Sequence, residues 1–104
     1  MGKNKRAIVS QMTTYQIVLT DEAKENIAEA LRYYLGISNL LQQKFQAELI
    51  NTIDRLKDAP KHHQIRYRGI RIAHTKTFSY GVHFIIEGTT IRVLKILHHK
   101  QFYK

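Results

Sequence analysis

The chain has 104 residues, of which 43% are hydrophobic and none is cysteine, and its formal net charge is +9. This length supports a single domain with one core, and the apolar content is too high for a disordered chain. The composition excludes disulfide scaffolds, cysteine-ligated zinc and cysteine nucleophiles, and no apolar run is long enough to span a membrane.

The first predicted element is a short strand over residues 14–19, TYQIVL, which is rich in β-forming side chains. Thr20 or Asp21 can then cap a helix that ends near Gly36. Its apolar stripe has spacings of three and four, the period of an amphipathic helix: Ala23, Ile27, Ala30, Leu31 and Tyr34.

A second helix is predicted from Ser38 or Asn39, either of which can serve as its cap. Its apolar stripe consists of Leu41, Phe45, Leu49, Ile53 and Leu56. The helix stops before Pro60, the only proline. Because the joint between the two helices is short, they should form an antiparallel hairpin.

From residue 64 the apolar period changes to two, which is typical of strands. In QIRYRGIRIAH the apolar side chains change from odd-numbered to even-numbered positions at Gly69. A bulge or a tight kink there would place Arg66, Arg68 and Arg71 on one side of a single strand. A strand over residues 80–86 and a turn at residues 87–89 follow. In residues 91–97, apolar side chains occur at both odd-numbered and even-numbered positions, as expected of a central strand that is covered on both faces. The predicted fold is α+β with the order β-α-α-β-β-β, an antiparallel sheet carrying the helical hairpin on one face.

The charge is strongly asymmetric along the chain. Residues 1–58 carry eight basic and seven acidic side chains, whereas residues 59–104 carry nine basic side chains and Glu87 as the only acid. All six histidines also lie in the second part. This field favours an anionic partner, such as nucleic acid or an acidic protein segment.

Several kinds of active site are not supported by the sequence. Neither of the two histidine pairs, residues 62–63 and 98–99, is a chelate, because neighbours on a strand point to opposite faces. There is no nucleophile elbow, no carboxylate pair in the second half and no phosphate-cradling glycine loop. We therefore expect no metal site and no cofactor.

A basic constellation on the last strands and the tail is the stronger candidate site. If the strands share a sheet, one groove could collect the side chains of Arg71, Arg92, Lys95, His98, Lys100 and Tyr103. Arginines could hold phosphates there, and His98 or Tyr103 could move a proton during attack by a ribose hydroxyl. The alternative for His98 is a structural role at the end of a buried strand.

Five segments of the sequence together resemble the ParE/RelE superfamily of bacterial type II toxin–antitoxin toxins. They cover about residues 12–100 and occur in the family's order: YQIVLTDEAKENIAEALRYY, FQAELINTIDRL, QIRYRGIRIA, FSYGVHFIIEG and IRVLKILHH. The resemblance implies a helical hairpin on a small sheet and a cognate antitoxin with an acidic binding segment. Family members begin near Met12, so the resemblance implies a toxin domain over residues 12–104 and an extension or leader over residues 1–11.

The resemblance leaves the target open between two modes of action. ParE-like members act on DNA gyrase without being known enzymes, and the chain's helix and FSYGVHFIIEG segments favour this interpretation. RelE-like members cut mRNA on the ribosome, and Arg71, Arg92, His98 and Tyr103 would be the catalytic candidates in that case. A third hypothesis is a basic nucleic-acid-binding module. Under any of them the protein is expected to be cytoplasmic. The residues expected to bind nucleic acid or the antitoxin are Arg66, Arg68, Arg71, Arg92, Lys95 and Lys100.

Overall fold

The computed structural model describes residues 14–102, except the side chain of Phe102. It contains five strands and three helices: β1 (Gln16–Leu19), α1 (Asp21–Leu35), α2 (Asn39–Asp54), β2 (Ile65–Tyr67), β3 (Ile70–His74), β4 (Tyr80–Glu87), β5 (Thr90–His98) and α3 (His99–Phe102). Two short 3-10 turns, Arg55–Lys57 and Pro60–His62, join α2 to β2. The predicted α+β class and helical hairpin are confirmed.

Both long helices begin at the predicted caps. The Thr20 hydroxyl accepts the Ala23 N–H at 3.1 Å, and the Ser38 hydroxyl accepts the Leu41 N–H at 2.9 Å. Each bond satisfies one of the amide donors that a helix N-terminus leaves without a helical partner. The local sequence therefore determines where the hairpin starts and where it turns.

The sheet has the strand order β1-β5-β4-β3-β2. The pairs from β2 to β5 are antiparallel, as predicted, while β1 runs parallel to β5. The parallel pair is possible because the whole chain from α1 to β4 lies between the two strands and supplies the long crossover that such a pair requires. The last long strand is an interior strand, with a neighbour on each side.

The predicted single strand with a bulge at Gly69 is wrong. The chain reverses at Arg68-Gly69 and forms a β2–β3 hairpin, so Arg66 and Arg71 lie on separate, paired strands. Arg68 and Gly69 both have positive φ, 45° and 76°. Two positive φ values are what a two-residue type I′ hairpin turn requires. The prediction that Arg66, Arg68 and Arg71 lie on one side of the same strand is therefore also wrong.

The helices bury one face of the sheet. The core contains Phe45 and Leu49 from α2 and, among others, Val82, Phe84 and Val93 from the sheet. Because side chains alternate along a strand, the residues between these point to the opposite face, which we call the second face. The β4–β5 pairing has a register shift. Phe84 pairs with Val93, but the preceding His83 pairs with Lys95, so Leu94 of β5 has no partner residue on β4 in the register. This bulge places Arg92 and Lys95 on the same face despite their odd separation.

Beyond the end of β1, side chains of the α1 cap and of α1 itself form hydrogen bonds with the backbone of β5. The Thr20 hydroxyl donates to the Leu94 carbonyl at 2.8 Å, and the Asn26 side-chain oxygen accepts the Ile96 N–H at 2.9 Å. An exposed strand edge would otherwise be open to pairing with another chain. No helix within residues 14–102 has the length and apolar character needed to cross a bilayer.

Candidate functional site

Arg71 has a structural position beside the loop before β2. Its guanidinium donates to the His63 carbonyl oxygen at 2.7 Å and to the Lys61 carbonyl oxygen at 3.4 Å. Arg71 pairs with Phe84 in the sheet register, so its side chain lies on the helix-covered face. Ala73, two residues further along β3, lies on the same face. Arg71 therefore fixes the backbone that follows Pro60, and one donor group is already committed to that role.

Arg92 and His98 lie on opposite faces of the sheet. Arg92 pairs in register with Ile85 on the second face, and its Nε is 2.9 Å from the Glu87 carboxylate. His98 pairs with Tyr80 on the helix-covered face, where the two ring centroids are 5.1 Å apart. The groove predicted to collect both residues does not form, because the bulge at Leu94 turns their side chains to opposite faces of the sheet.

The remaining predicted residues are also dispersed. Arg68 is exposed in the hairpin turn. Lys100 is in α3, where its backbone N–H donates to Nδ1 of His98 at 3.1 Å. Tyr103 lies outside the described residues. Of the predicted set, Arg66 and Lys95 are the two that the structure places in one basic neighbourhood.

That neighbourhood lies on and beside the second face and runs across the sheet from Arg66 on β2 to Lys95 on β5. Lys95 pairs directly with His83, and His83 pairs directly with Ile72, two residues before His74. The charges of Arg66 and His99 act on His74, and those of Lys95 and His74 act on His83. We call these five residues the basic sheet surface: Arg66, His74, His83, Lys95 and His99.

His83 is the buried centre of the basic sheet surface. It is 1% exposed, and its Nδ1 is 2.9 Å from the hydroxyl of Tyr67. Burial, followed by the charges of Lys95 and His74, lowers the pKa of His83 to about 4. The imidazole is therefore neutral at physiological pH and serves as a packed hydrogen-bonding group.

His74 is an exposed member of the surface, as are Arg66 and His99. Partial burial, together with the charges of Arg66 and His99, lowers the pKa of His74 below its usual value. Burial likewise lowers the pKa of His63, with contributions from His62, His74 and Arg71. Arg66 and Arg71 are the arginines among the groups that act on these two imidazoles.

Sequence reasoning missed His74 and His83 as members of a site. The available signal was the alternation of FSYGVHFIIEG, in which His83 interrupts an otherwise apolar or aromatic strand. The missing information was strand pairing, because His74 and Lys95 become neighbours of His83 only through the register of β3, β4 and β5. Among the residues that the structure describes, no group of three or more metal-ligating side chains is arranged to hold a metal ion.

Three concave regions lie on the helix side of the molecule. One of them, of about 570 Å³ and next to α2, is lined by Glu48, Asp58, His62, His63 and His74, among others. A cavity of about 740 Å³ between α1 and the end of β5 is lined by Tyr34, Tyr80 and His98, with Glu29 and Lys100 also contributing. An apolar groove of about 360 Å³ runs between α1, α2 and β1. We call the latter the helix groove; its apolar lining is Ile17, Leu19, Ile27, Leu31, Leu49, Ile50 and Ile53.

Comparison with protein families gives a match over nearly the whole described chain. The model described as "ParE toxin of type II toxin-antitoxin system, parDE" matches residues 17–103. A search of curated proteins finds no match.

Comparison with solved structures finds the same architecture. The chain is similar to a structure described as a chromosomal ParDE TA system from P. aeruginosa, with a TM-score of 0.73 and 14% identity over 83% of this chain and 97% of that one. It is also similar to YafQ from E. coli, with a TM-score of 0.50 and 16% identity over 88% of this chain and 100% of that one. At these identities the two structures support the fold alone.

Proposed function

Because this chain belongs to the ParE toxin family of type II toxin–antitoxin systems, we propose that it arrests bacterial growth by binding DNA gyrase. Family membership makes it the toxin component of such a system and implies an antitoxin partner. The observation that carries the choice of gyrase is the family match over residues 17–103, since the resemblance to ParE-like members implies gyrase as the target. Gyrase is a cytoplasmic target, and the cysteine-free composition suits that reducing compartment.

The geometry gives further support to a binding mode over mRNA cleavage. A general acid or base must lie within reach of the groups that position the phosphate. Arg92 and His98 lie on opposite faces of the sheet, and the Arg71 guanidinium is engaged by two backbone carbonyls. A substrate phosphate held by Arg92 would therefore be separated from the His98 imidazole by the sheet itself.

Expression of the chain without its antitoxin provides the test. We expect growth arrest with induction of the SOS response, and loss of supercoiling when the purified chain is added to gyrase and relaxed plasmid. Mapping of mRNA 5′ ends is the parallel measurement, and it should give the pattern of uninduced cells. New ends between codon positions, abolished by His98→Gln without loss of fold, would contradict the gyrase proposal and establish cleavage.

The choice of variants in this test follows from the hydrogen bonds. Arg71→Ala is unsuitable as a catalytic probe, because it removes the donor to the His63 carbonyl and would disturb the loop before β2. Arg92→Gln and His98→Gln keep polar side chains at half-buried positions and disturb the fold less. Their toxicity should equal that of the parent chain if gyrase binding alone is responsible.

The antitoxin, in this proposal, covers the helix groove with an apolar segment. Ile50 at its rim is 57% exposed, although it is a large aliphatic side chain next to the buried Leu49. Apolar surface that is rimmed by polar side chains, here Gln46, Asp54 and Lys57, marks a protein interaction site. The basic residues predicted to bind an acidic antitoxin segment remain a separate prediction.

A further inference from the structure

We propose that the α1 side of the cavity between α1 and the end of β5 is the surface by which this chain binds gyrase, against a positively charged region of that enzyme. The cavity has a volume of about 740 Å³, and we call it the α1–β5 cavity. It shares no lining residue with the helix groove. The inference rests on the proposed function, because it assigns a contact surface to the target named there.

Two large side chains on the α1 side of this cavity present apolar surface to solvent. Tyr33 is 63% exposed, and Ile37, just after the helix, is 59% exposed. Both line the cavity, together with polar side chains such as those of Asn26 and Gln101. Exposed apolar surface that is rimmed by polar side chains marks a protein interaction site. Tyrosine is also one of the residues that most often dominate the binding energy of an interface.

The floor of the cavity is fixed by packing and by a hydrogen bond. Tyr34 of α1 and Tyr80 of β4 are both buried, and their ring centroids are 6.4 Å apart. The Tyr33 ring packs edge-on against Tyr34, with the centroids 5.0 Å apart. The side-chain oxygen of Asn26 accepts the Ile96 N–H, which ties the helix to β5. A partner that contacts Tyr33 therefore orders little additional structure, which lowers the entropic cost of binding.

The charge on this side of α1 determines what kind of partner surface fits. Three glutamates precede Tyr33 at spacings of three and four, so that all four side chains lie on one face of the helix: Glu22, Glu25 and Glu29. These glutamates are exposed, and none forms an ion pair with another of the described residues. In all, α1 carries four acidic and two basic side chains, in a chain whose net charge is +9. The helix thus presents negative charge beside its exposed tyrosine.

Gyrase fits this distribution of charge because it is an enzyme that binds DNA. Proteins that bind DNA neutralise its phosphates with lysine and arginine side chains, so their DNA-contacting surfaces are positive. Residues 59–104 carry a net charge of +8 and would be repelled by such a surface, whereas the glutamate face of α1 would be attracted to it. Complementary charges of this kind fix the orientation of a complex and speed its formation. The chain therefore meets gyrase with α1 foremost, and Tyr33 and Ile37 supply the apolar contact.

Lys100 of α3 gives the proposal a test of opposite sign. It is exposed and lines the same cavity as Glu29, but the two side chains form no ion pair. Burial is the main cause that raises the pKa of Tyr80, and the charge of Glu29 adds to that rise. The carboxylate therefore acts on the floor of the cavity. A positive partner surface is attracted by Glu29 and repelled by Lys100, so neutralising these two groups should change the affinity in opposite directions.

Biolayer interferometry of the purified full chain on immobilised gyrase holoenzyme tests the proposal. Tyr33→Ala and Ile37→Ala should each lower the affinity roughly 30-fold, the loss typical of an interface hot spot. Glu29→Gln should lower the affinity about threefold and make it less sensitive to salt. Lys100→Gln should raise the affinity by a similar factor. Inhibition of supercoiling by the same variants should follow the order of their affinities.

Two control variants match these changes at positions away from the cavity. Leu40→Ala removes a side chain that is 61% exposed and does not line the cavity. Asp58→Asn neutralises an exposed carboxylate that lies after α2 and is also absent from the lining. Both should bind gyrase with the affinity of the parent chain. Thermal unfolding of every variant verifies that the fold is retained, as expected for changes at exposed side chains.

The outcomes separate this surface from the proposed function. Parent-like affinity of both Tyr33→Ala and Ile37→Ala would overturn the surface while leaving gyrase as the target. An equal loss in Leu40→Ala, or a fall of affinity in Lys100→Gln, would overturn it as well. A parent chain that does not bind gyrase at all would overturn the surface and the proposed function together.

Discussion

At the scale of single residues, His83 is a buried imidazole whose neutral form the fold requires. Its pKa is lowered to about 4, while an unfolded chain has an ordinary histidine pKa near 6.5. Above about pH 6.5 both states are neutral, so the residue contributes no pH dependence. As the pH falls below that value the unfolded chain binds a proton that folded His83 does not, and stability is lost.

The expected result is a free energy of unfolding that falls by an extra ~1.4 kcal/mol per pH unit, or roughly 3 kcal/mol in total by pH 4. His83→Gln should remove this contribution, since an amide can still bond Tyr67 but does not titrate. Urea unfolding between pH 7 and pH 4 measures the difference between the two chains. An unchanged slope in His83→Gln would contradict the assignment.

At the scale of elements, Glu48 of α2 organises the loop between β3 and β4. Its carboxylate accepts the Thr77 N–H at 2.7 Å and the Phe78 N–H at 3.0 Å. Burial alone would raise the pKa of Glu48, but these hydrogen bonds more than offset it and hold the pKa below its usual value. Phe78, which this contact positions, packs edge-on against Phe45 and Tyr34.

Glu48→Gln should therefore destabilise the fold by about 1–2 kcal/mol at pH 7, because a charge-assisted pair of bonds is weakened. The loss should disappear as the pH falls through the folded pKa of Glu48, where the parent carboxylate itself becomes protonated. Thermal unfolding at pH 7 and pH 3 gives the comparison, with Gln43→Glu, at an exposed α2 position, as a control for charge. A constant deficit at both pH values would show that the ionised form has no special role.

The sequence predicted the helical hairpin well because its information is local. Caps at Thr20 and Ser38 and the stripes of α1 and α2 lie within a few residues of the bonds they make. The β2–β3 hairpin was missed because Arg68 occupies a position where Asn, Asp or Gly is usual in a type I′ turn. Gly69 marked the irregularity. However, a change of the apolar side chains from odd to even positions occurs both at a bulge within a strand and at a turn between two strands.

The candidate site was harder to predict than the fold, for a reason of register. Residues 91–97 have apolar side chains at both odd-numbered and even-numbered positions. The sequence therefore shows no alternation whose interruption would reveal the bulge at Leu94. Without the bulge, Arg92 and Lys95 would face opposite sides, and His98 would share a side with Arg92. One extra residue thus decides which charged groups meet, and it depends on pairing with β4 rather than on local preference.

At the scale of the whole molecule, the acidic side chains concentrate on the helices and the basic side chains in the second half of the chain. α1 carries Asp21, Glu22, Glu25 and Glu29, whereas residues 59–104 carry a net charge of +8. The helix groove and the basic sheet surface therefore offer different chemistry on opposite sides of one sheet.

Ile50→Asp tests the groove while sparing the rest of the molecule. Ile50 is 57% exposed, so the fold should tolerate the change, apart from a few tenths of a kcal/mol of repulsion with Asp54 four residues on. Burying the new carboxylate under an apolar partner segment is costly, and an acidic antitoxin would be repelled as well. We expect the affinity for the antitoxin to fall roughly 30-fold, the loss of a 2 kcal/mol hot spot.

The growth assay should then show a toxin that escapes neutralisation: coexpressed antitoxin rescues cells carrying the parent chain but not those carrying Ile50→Asp. Leu40→Asp is the matched control, because Leu40 is similarly exposed at 61% and does not line the groove. Calorimetric titration of the purified proteins supplies the affinities. Equal rescue of both variants would place the antitoxin elsewhere on the toxin, whereas loss of toxicity in Ile50→Asp itself would assign the groove to the target instead of the antitoxin.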